Sequence, residues 1–311
     1  MKSNKHAKQK IIVVLGPTAS GKSDLAVALA KKFNGEVISA DSRQVYKSLN
    51  IGSGKITKKE MQGIKHHMLD VADPKALKGR RFTVDMYKKM TEKVLAEIIS
   101  RGKLPIICGG TGFYIQSVVD DITLPDVLPN LALRKKLKTK STTELLSILR
   151  KLDPKRAETV EQKNPIRLIR AIEIATALGK VPELVKSADK NRAFLQIGIK
   201  TDAEKLKKRI ANRLLVRFKN GMLREAARLH KNGLSYKRME EFGLEYRFQA
   251  LYLQGKITKA EMQEKLNTEI NRYARRQMTW FKKDKRIKWF ELKDKKKIEE
   301  QIKKFLKKTI Q

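Results

Sequence analysis

The chain has 311 residues, enough for one large α/β domain carrying an insertion or for two domains, and its 41% hydrophobic content supports an ordinary packed core. Seventy-one Lys and Arg against 33 Asp and Glu leave a net +38, an excess that points to a polyanionic partner, nucleic acid ahead of a membrane. The one cysteine, Cys108, excludes an intramolecular disulfide and a cysteine zinc site, and no apolar run approaches the about 18 residues of a membrane span.

Residues 1–10 hold four lysines and read as a disordered basic arm. Residues 11–15 form a β-branched strand that runs into Gly16, Pro17, Thr18, Ala19, Ser20, Gly21, Lys22 and Ser23, a full match to the phosphate-loop pattern G-x-x-x-x-G-K-S/T. A helix over 23–33 follows, then a strand at 36–40 that ends in Asp41-Ser42-Arg43-Gln44-Val45-Tyr46. A helix over 84–100 leads to a strand at 104–108, where Cys108 takes a buried position, and then to Gly109-Gly110-Thr111-Gly112. Strands alternating with helices predict right-handed βαβ units, hence a P-loop NTPase-like parallel sheet flanked by helices, with its chemistry at the carboxyl ends of the strands.

From residue 122 the texture changes to a proline-bearing linker and Lys-rich helical segments that reach about residue 190. One helix there is sharply delimited, with Asn164 as N-cap, Pro165 in the first turn and Gly179 at the far end. It presents Arg167, Arg170 and Glu173 on one side and Leu168, Ile169 and Ile172 on another. A strand at 194–200 returns to the sheet, the remainder is mostly helical, and 287–292 forms a last strand. The predicted organisation is a core interrupted by a helical insertion: 1–121, first part of the core; 122–190, the insertion; 191–311, second part of the core with basic C-terminal helices. Basic residues are dispersed, 12 against 4 acids over 201–240 and 13 against 5 over 281–311, so the charge belongs to folded segments more than to a tail.

The loop at 16–23 needs its glycines so that backbone N–H groups converge on a phosphate at the positive end of a helix. Lys22 supplies a cation for phosphoryl oxygens, and the Ser23 hydroxyl is placed to ligate Mg²⁺. Asp41 at a strand end fits either metal association or proton acceptance, and Ser42, Arg43 and Gln44 add more hydrogen-bonding side chains than a metal needs. Thr111, opposite a phosphate loop, is a donor for a leaving oxygen. His66-His67 gives no metal signal, because neighbours on a strand point to opposite faces, and packing is the expected role. Arg272, Arg275 and Arg276 share one helix face, with Tyr273, Gln277 and Trp280 on another.

In this order the motifs GPTASGKS, DSRQVY, IGSGK with HHMLD after it, GGTGFY, NPIRLIRAIEI and RYARRQMTWF make the chain resemble the tRNA dimethylallyltransferase family, the bacterial tRNA isopentenyltransferases, from residue 11 to about residue 290. The resemblance implies transfer of a dimethylallyl group from dimethylallyl diphosphate to N6 of the adenine just 3′ of the tRNA anticodon, with release of diphosphate. It implies that Asp41 accepts the N6 proton and that Lys22, Thr111, Arg213 and Ser23 with Mg²⁺ stabilise the departing pyrophosphate. Asp41, Ser42, Arg43, Gln44, Arg134 and the segment Ile166, Arg167, Leu168, Ile169 and Arg170 would contact the anticodon stem-loop. The chain departs from the family at Ile166, where Gln is usual, and in IGSGK, where Gly-Thr-Ala-Lys is commoner. The expected form is a cytoplasmic monomer with no membrane partner.

Three other readings share parts of this pattern: a prenyltransferase of free adenine nucleotides, a P-loop small-molecule kinase, and a non-enzymatic RNA-binding switch. The first leaves +38 without a purpose and the second leaves DSRQVY without one. Dispersed cations that displace phosphate counterions make RNA binding steeply salt-dependent. Affinity for a tRNA anticodon arm, measured between 50 and 200 mM salt, is therefore expected to fall by orders of magnitude, and a flat response would refute an RNA partner.

Overall fold

The computed structural model describes residues 8–76, 81–186 and 191–308. Strand β1 (Gln9–Leu15) passes through the phosphate loop into α1 (Lys22–Lys32); β2 (Gly35–Ala40), α2 (Lys58–Met61), β3 (His66–His67), α3 (Val84–Ser100), β4 (Leu104–Gly109) and α4 (Gly112–Val119) follow. Next come β5 (Ile122–Thr123), α5 (Leu131–Leu137), α6 (Thr142–Leu152), α7 (Pro154–Thr159), α8 (Pro165–Leu178) and β6 (Val185–Lys186). The chain continues with β7 (Arg192–Lys200), α9 (Ala203–Lys219), α10 (Met222–Lys231), α11 (Tyr236–Phe242), α12 (Leu244–Leu253), α13 (Lys259–Phe281), β8 (Lys288–Glu291) and α14 (Lys295–Lys307). These elements divide into two compact units, one of Met1–Lys75, Thr83–Asp120 and Ala188–Gln311, the other of Ala76–Phe82 and Asp121–Ser187.

The first unit is built on six parallel strands in the order β3-β2-β4-β1-β7-β8. Ile11, Ile12, Val13, Val14 and Leu15 are fully buried, as expected for a central parallel strand covered on both faces. From β1 the chain moves to β2 on one side and later returns at β7 on the other. The carboxyl end of β1 is therefore a topological switch point, where open α/β sheets leave a crevice for ligands. Leu25, Ala26 and Leu29 of α1 and Ile298 and Ile302 of α14 belong to one hydrophobic cluster with sheet residues Ile12, Val14, Ile106 and Ile197. Among the described residues no helix is long and apolar enough to cross a membrane.

The expected strands and helices around the phosphate loop are present, with ends shifted by one or two residues. The basic arm needs correction. Residues 1–7 lie outside the described residues, but β1 already begins at Gln9, whose N–H donates to Asn191 O (2.7 Å), and Lys10 lies within it, its ammonium on the Leu306 carbonyl. The short strands β3, β5 and β6 are not foreseen in the sequence, because two residues carry no periodicity. β3 places His67 Nε2 2.6 Å from the Glu36 carboxylate, which Arg101 also holds at 2.8 Å. Glu36 is 7% exposed, and burial alone would raise its pKa; hydrogen bonds from Arg101 and His67 outweigh this and hold it below its ordinary value.

In the second unit, β5 and β6 form a short antiparallel ladder, and α5–α8 share a core that includes Leu145, Leu149, Leu168 and Ile172. The Asn164 side chain accepts from Arg167 N, Pro165 opens α8, and Gly179 closes it at φ 78°. Glu173, 2% exposed, is the charged centre of this unit. Its carboxylate accepts from Arg134 Nε (2.9 Å) and Nη2 (2.7 Å), Arg170 Nη1 (2.6 Å) and Asn130 N (2.6 Å). Desolvation pushes its pKa up, but the two arginines and the Asn130 N–H outweigh that and hold it below its ordinary 4.5.

A depressed carboxylate pKa contributes stability that is present above the unfolded value and lost as pH falls through the folded one. Glu173→Gln is expected to destabilise the protein by about 1–3 kcal/mol at neutral pH. The loss is smaller than for a fully buried pair because Arg134 and Arg170 keep 32% and 36% of their side-chain surface exposed. The stability gap between the two proteins should be constant above about pH 4.5 and shrink as the pH falls from there through the lower folded pKa of Glu173; a gap that does not change with pH would show that the charge is not what matters.

Candidate active site

The site gathers where β1, β2 and β4 end. Gly21 caps α1 in the left-handed region at φ 87°, and a Cβ there would lie 2.6 Å from Leu292 Cδ2, so residue 21 cannot carry a side chain without displacing the Leu292 packing. The loop aims Lys22 back over itself, with Nζ donating to Pro17 O at 3.1 Å. Burial of the Lys22 ammonium lowers its pKa; the Arg213 charge acts the same way, while the charge of Asp41 opposes both. Asp41 therefore lies within electrostatic reach of the phosphate-loop lysine. Ser20 is fully buried and its hydroxyl has no hydrogen-bond partner among the described residues.

At the end of β2 the Asp41 carboxylate is fixed by its own turn. Its Oδ1 accepts from Arg43 N (2.8 Å) and Gln44 N (3.3 Å), and Oδ2 takes no hydrogen bond from the described residues. Ser42 N donates to Thr111 Oγ1 at 3.0 Å and Thr111 N donates to Ala40 O at 3.1 Å, which ties the ends of β2 and β4 together. The Tyr273 phenol of α13 is pushed up to about 12, by burial first and the Asp41 charge second. Arg43 Nε donates to Phe242 O (2.5 Å), and Gln44 Nε2 to Gly54 O (3.2 Å). These two side chains, expected at an adenine edge, already have partners in the protein.

Helix α9 contributes arginines at a four-residue spacing, so that three successive turns present one face. Arg209 Nη1 reaches Ser20 O (3.5 Å), Arg213 reaches Thr18 Oγ1 (3.4 Å) and Gly54 O (3.2 Å), and Arg217 reaches Gly52 O (3.4 Å) and Glu245 (2.8 Å). Arg213 retains solvent contact; desolvation of its head group and then the charge of Arg217 push its pKa down to about 10. Sequence reasoning reached only Arg213. The spacing of Arg209, Arg213 and Arg217 is the signal that would have found the other two.

A third residue without a predicted role is Gln277 of α13. Its Oε1 accepts from Thr18 N (2.9 Å) and its Nε2 donates to Gly110 O (2.8 Å), so one amide joins the phosphate loop to the Gly-rich turn. The approach is close enough that a Cβ on Gly110 would lie 2.2 Å from Gln277 Nε2, and one on Gly112 would lie 2.2 Å from Trp280 Cδ1. The glycines of GGTG and the terminal RQMTWF segment are thus two halves of one contact. Cys108 is buried beneath the loop, its thiol pushed up to about 11 mainly by burial, which suits the inert strand position expected of it.

The remaining expected site residues lie in the second unit. Ile166 and Arg167 are exposed, and Arg167 pairs with Glu161 at 3.1 Å. Leu168 and Ile169 are corrected: at 0% and 8% exposure their side chains fill the core of that unit and are not available to a ligand, because α8 must bury this face. Arg134 and Arg170 clasp Glu173. Among the described residues no group of three or more His, Cys, Asp or Glu could hold a metal, while the Ser23 hydroxyl at the start of α1 is exposed. That donor set fits an ion that takes its other ligands from diphosphate oxygens and water, the usual mode for Mg²⁺.

Comparison with known proteins gives a consistent picture. The family described as IPP transferase matches residues 44–284. The chain is 39% identical over 290 residues to tRNA dimethylallyltransferase 1 of Geotalea uraniireducens, covering 90% of this chain and 92% of the relative. It is 40% identical over 303 residues to tRNA dimethylallyltransferase 1 of Syntrophus aciditrophicus, covering 95% and 98%. Among solved structures it is similar to the full-length tRNA isopentenylpyrophosphate transferase of Bacillus halodurans, with a TM-score of 0.72, 32% identity and 96% of each chain covered. Crystallographic snapshots of a eukaryotic dimethylallyltransferase acting on tRNA match with a TM-score of 0.70 and 25% identity over 88% of this chain and 69% of that one.

Removing the amide bridge leaves Thr18 N–H and Gly110 C=O without their partner. Gln277→Ala should cost about 1–3 kcal/mol of stability and weaken binding of inorganic pyrophosphate. Calorimetric titration with pyrophosphate checks this, and an unchanged affinity would mean that the phosphate loop holds its shape without α13.

Proposed function

The chain belongs to the IPP transferase family, the tRNA dimethylallyltransferases, and we propose that it moves a dimethylallyl group from dimethylallyl diphosphate to N6 of the adenine 3′-adjacent to the anticodon in tRNA. N6 forms a bond to C1 of the allyl group, the C1–oxygen bond breaks with its electron pair going to diphosphate, and one N6 proton leaves. The observation that carries this reading is the convergence at the strand ends: Gly54 O accepts both from Gln44 Nε2 of the Asp41 turn and from Arg213 Nη2, and Arg213 also reaches Thr18 of the phosphate loop that carries Lys22. A carboxylate and cations gathered in one site suit a reaction that gains negative charge on a leaving group while an amine loses a proton.

In this reading Asp41 accepts the N6 proton. Its Oδ1 is held by two backbone N–H groups, and these bonds keep the side chain oriented. Lys22 and Arg213 stabilise the diphosphate as charge develops on it, preorganised by Pro17 O, Thr18 and Gly54 O. Thr111, whose Oγ1 accepts from Ser42 N, lines the same edge and gives its hydroxyl proton to a leaving oxygen. Ser23 would hold Mg²⁺, which when bound would neutralise diphosphate charge. Residues 16–23 receive the diphosphate. Ser42, Arg43 and Gln44 shape the adenine side, while Ile166, Arg167 and the partly exposed Arg134 and Arg170 belong to the surface that grips the anticodon stem-loop. The adenine must leave its stack to reach such a site.

Asp41→Asn retains an oxygen that can accept from Arg43 N and Gln44 N, so the turn survives while basicity is lost. Prenylation of tRNA is expected to fall by about 10²–10⁴-fold, with affinity for dimethylallyl diphosphate near wild type and no recovery when Mg²⁺ is raised. Recovery with Mg²⁺ would move Asp41 to the metal. Labelled dimethylallyl diphosphate offered with tRNA, AMP or ATP tests the substrate: label in AMP or ATP in place of tRNA would overturn the tRNA assignment.

A further inference from the structure

Glu225 on α10 is 2% exposed, yet no ion pair among the described residues involves it, in a chain with a net charge of +38. Its charge is instead met by consecutive backbone N–H groups. Oε2 accepts from Asn50 N (3.1 Å) and Ile51 N (2.8 Å), while Oε1 accepts from Gly52 N (2.9 Å) and the Tyr246 hydroxyl (2.9 Å). Burial, then the adjacent carboxylate, keep the Tyr246 phenol protonated and therefore a donor. Three N–H groups in a row converging on one anion form a concavity that fixes the loop conformation. The fit leaves no room at Gly52, where a Cβ would lie 2.7 Å from Tyr246 Cζ.

What this loop presents on its other side is the active site. Gly54 O accepts from Arg213 Nη2 and from Gln44 Nε2, both at 3.2 Å, and Gly52 O lies 3.4 Å from Arg217 Nη1. Gly54 N donates to Ile51 O (3.1 Å) and Lys55 N to Asn50 O (2.9 Å), so the turn moves as a unit with the residues that Glu225 holds. We infer that Glu225 is a positioning residue: through the Asn50–Gly54 turn it sets the Gly54 carbonyl that orients Arg213 toward the diphosphate and Gln44 toward the acceptor. This rests on Arg213 serving the leaving group, as proposed above. Glu225 touches no reacting atom, and its effect passes entirely through the backbone of the loop.

Glu225→Gln keeps the shape but sets an amide N–H₂ against at least one of the loop N–H groups. Amide hydrogen exchange is expected to rise at residues 50–52 and to stay unchanged in the phosphate loop. Affinity for inorganic pyrophosphate should fall about tenfold, and this loss should vanish when the change is made on an Arg213→Ala background, because the arginine it orients is gone. Tyr246→Phe removes one of the four hydrogen bonds and should give the same pattern several-fold more weakly; it serves as the variant if Glu225→Gln does not fold. Unchanged exchange at 50–52, or an affinity loss of equal size with and without Arg213, would overturn the inference. Neither measurement uses tRNA. A wild-type chain that binds pyrophosphate but prenylates no tRNA would therefore refute the proposed activity while leaving these two readouts to decide on Glu225.

Discussion

The geometry of the site depends on one side-chain amide. Gln277 joins an N–H of the phosphate loop to a carbonyl of the Gly-rich turn after β4, elements whose strands pair at the sheet. Parallel pairing of β1 with β4 sets their spacing at the sheet, but beyond the last ladder residue each loop is free to diverge. An amide can do this work because it is donor and acceptor at once, so both partners are satisfied without a net charge placed beside the phosphate site. The small size of Gly110 and Gly112 is the complementary condition, since α13 must lie almost against the backbone for the amide and the Trp280 ring to fit.

A second constraint follows from charge. Acids are outnumbered about two to one, and several of those present are buried and held by specific donors. Glu36 is clasped by Arg101 and His67, Glu173 by Arg134 and Arg170, and Asp120 by Arg286. A buried carboxylate without such donors would be too costly to leave ionised, so each fixes the side chains or backbone around it. These buried acids act as internal fasteners.

The elements legible in the sequence were those with a local cause. The apolar β-branched runs at 11–15 and 104–108 need burial on both faces, the phosphate-loop glycines need their backbone freedom, and Asn164, Pro165 and Gly179 mark helix ends through their own capping and dihedral preferences. The Asp41 turn was legible as a strand end rich in polar groups. Its neighbours Arg43 and Gln44 were read as ligand-facing, whereas the fold gives both of them internal partners first. Leu168 and Ile169 entered the expected RNA contact as members of a contiguous motif, although their helical phase already placed them opposite Arg167 and Arg170.

The amino-acid sequence by itself determined the parallel-sheet core, the phosphate loop and the family, because these rest on short-range sterics, hydrophobic periodicity and motifs contained in a few consecutive residues. Only the tertiary structure decided how the site is held together. The contacts that do so span 259 residues from Thr18 to Gln277 and 173 from Gly52 to Glu225. No local preference of Gln or Glu announces such a partner. A helix position shows which face is buried, but which backbone group a buried polar side chain meets depends on how the helices close over the ends of the strands.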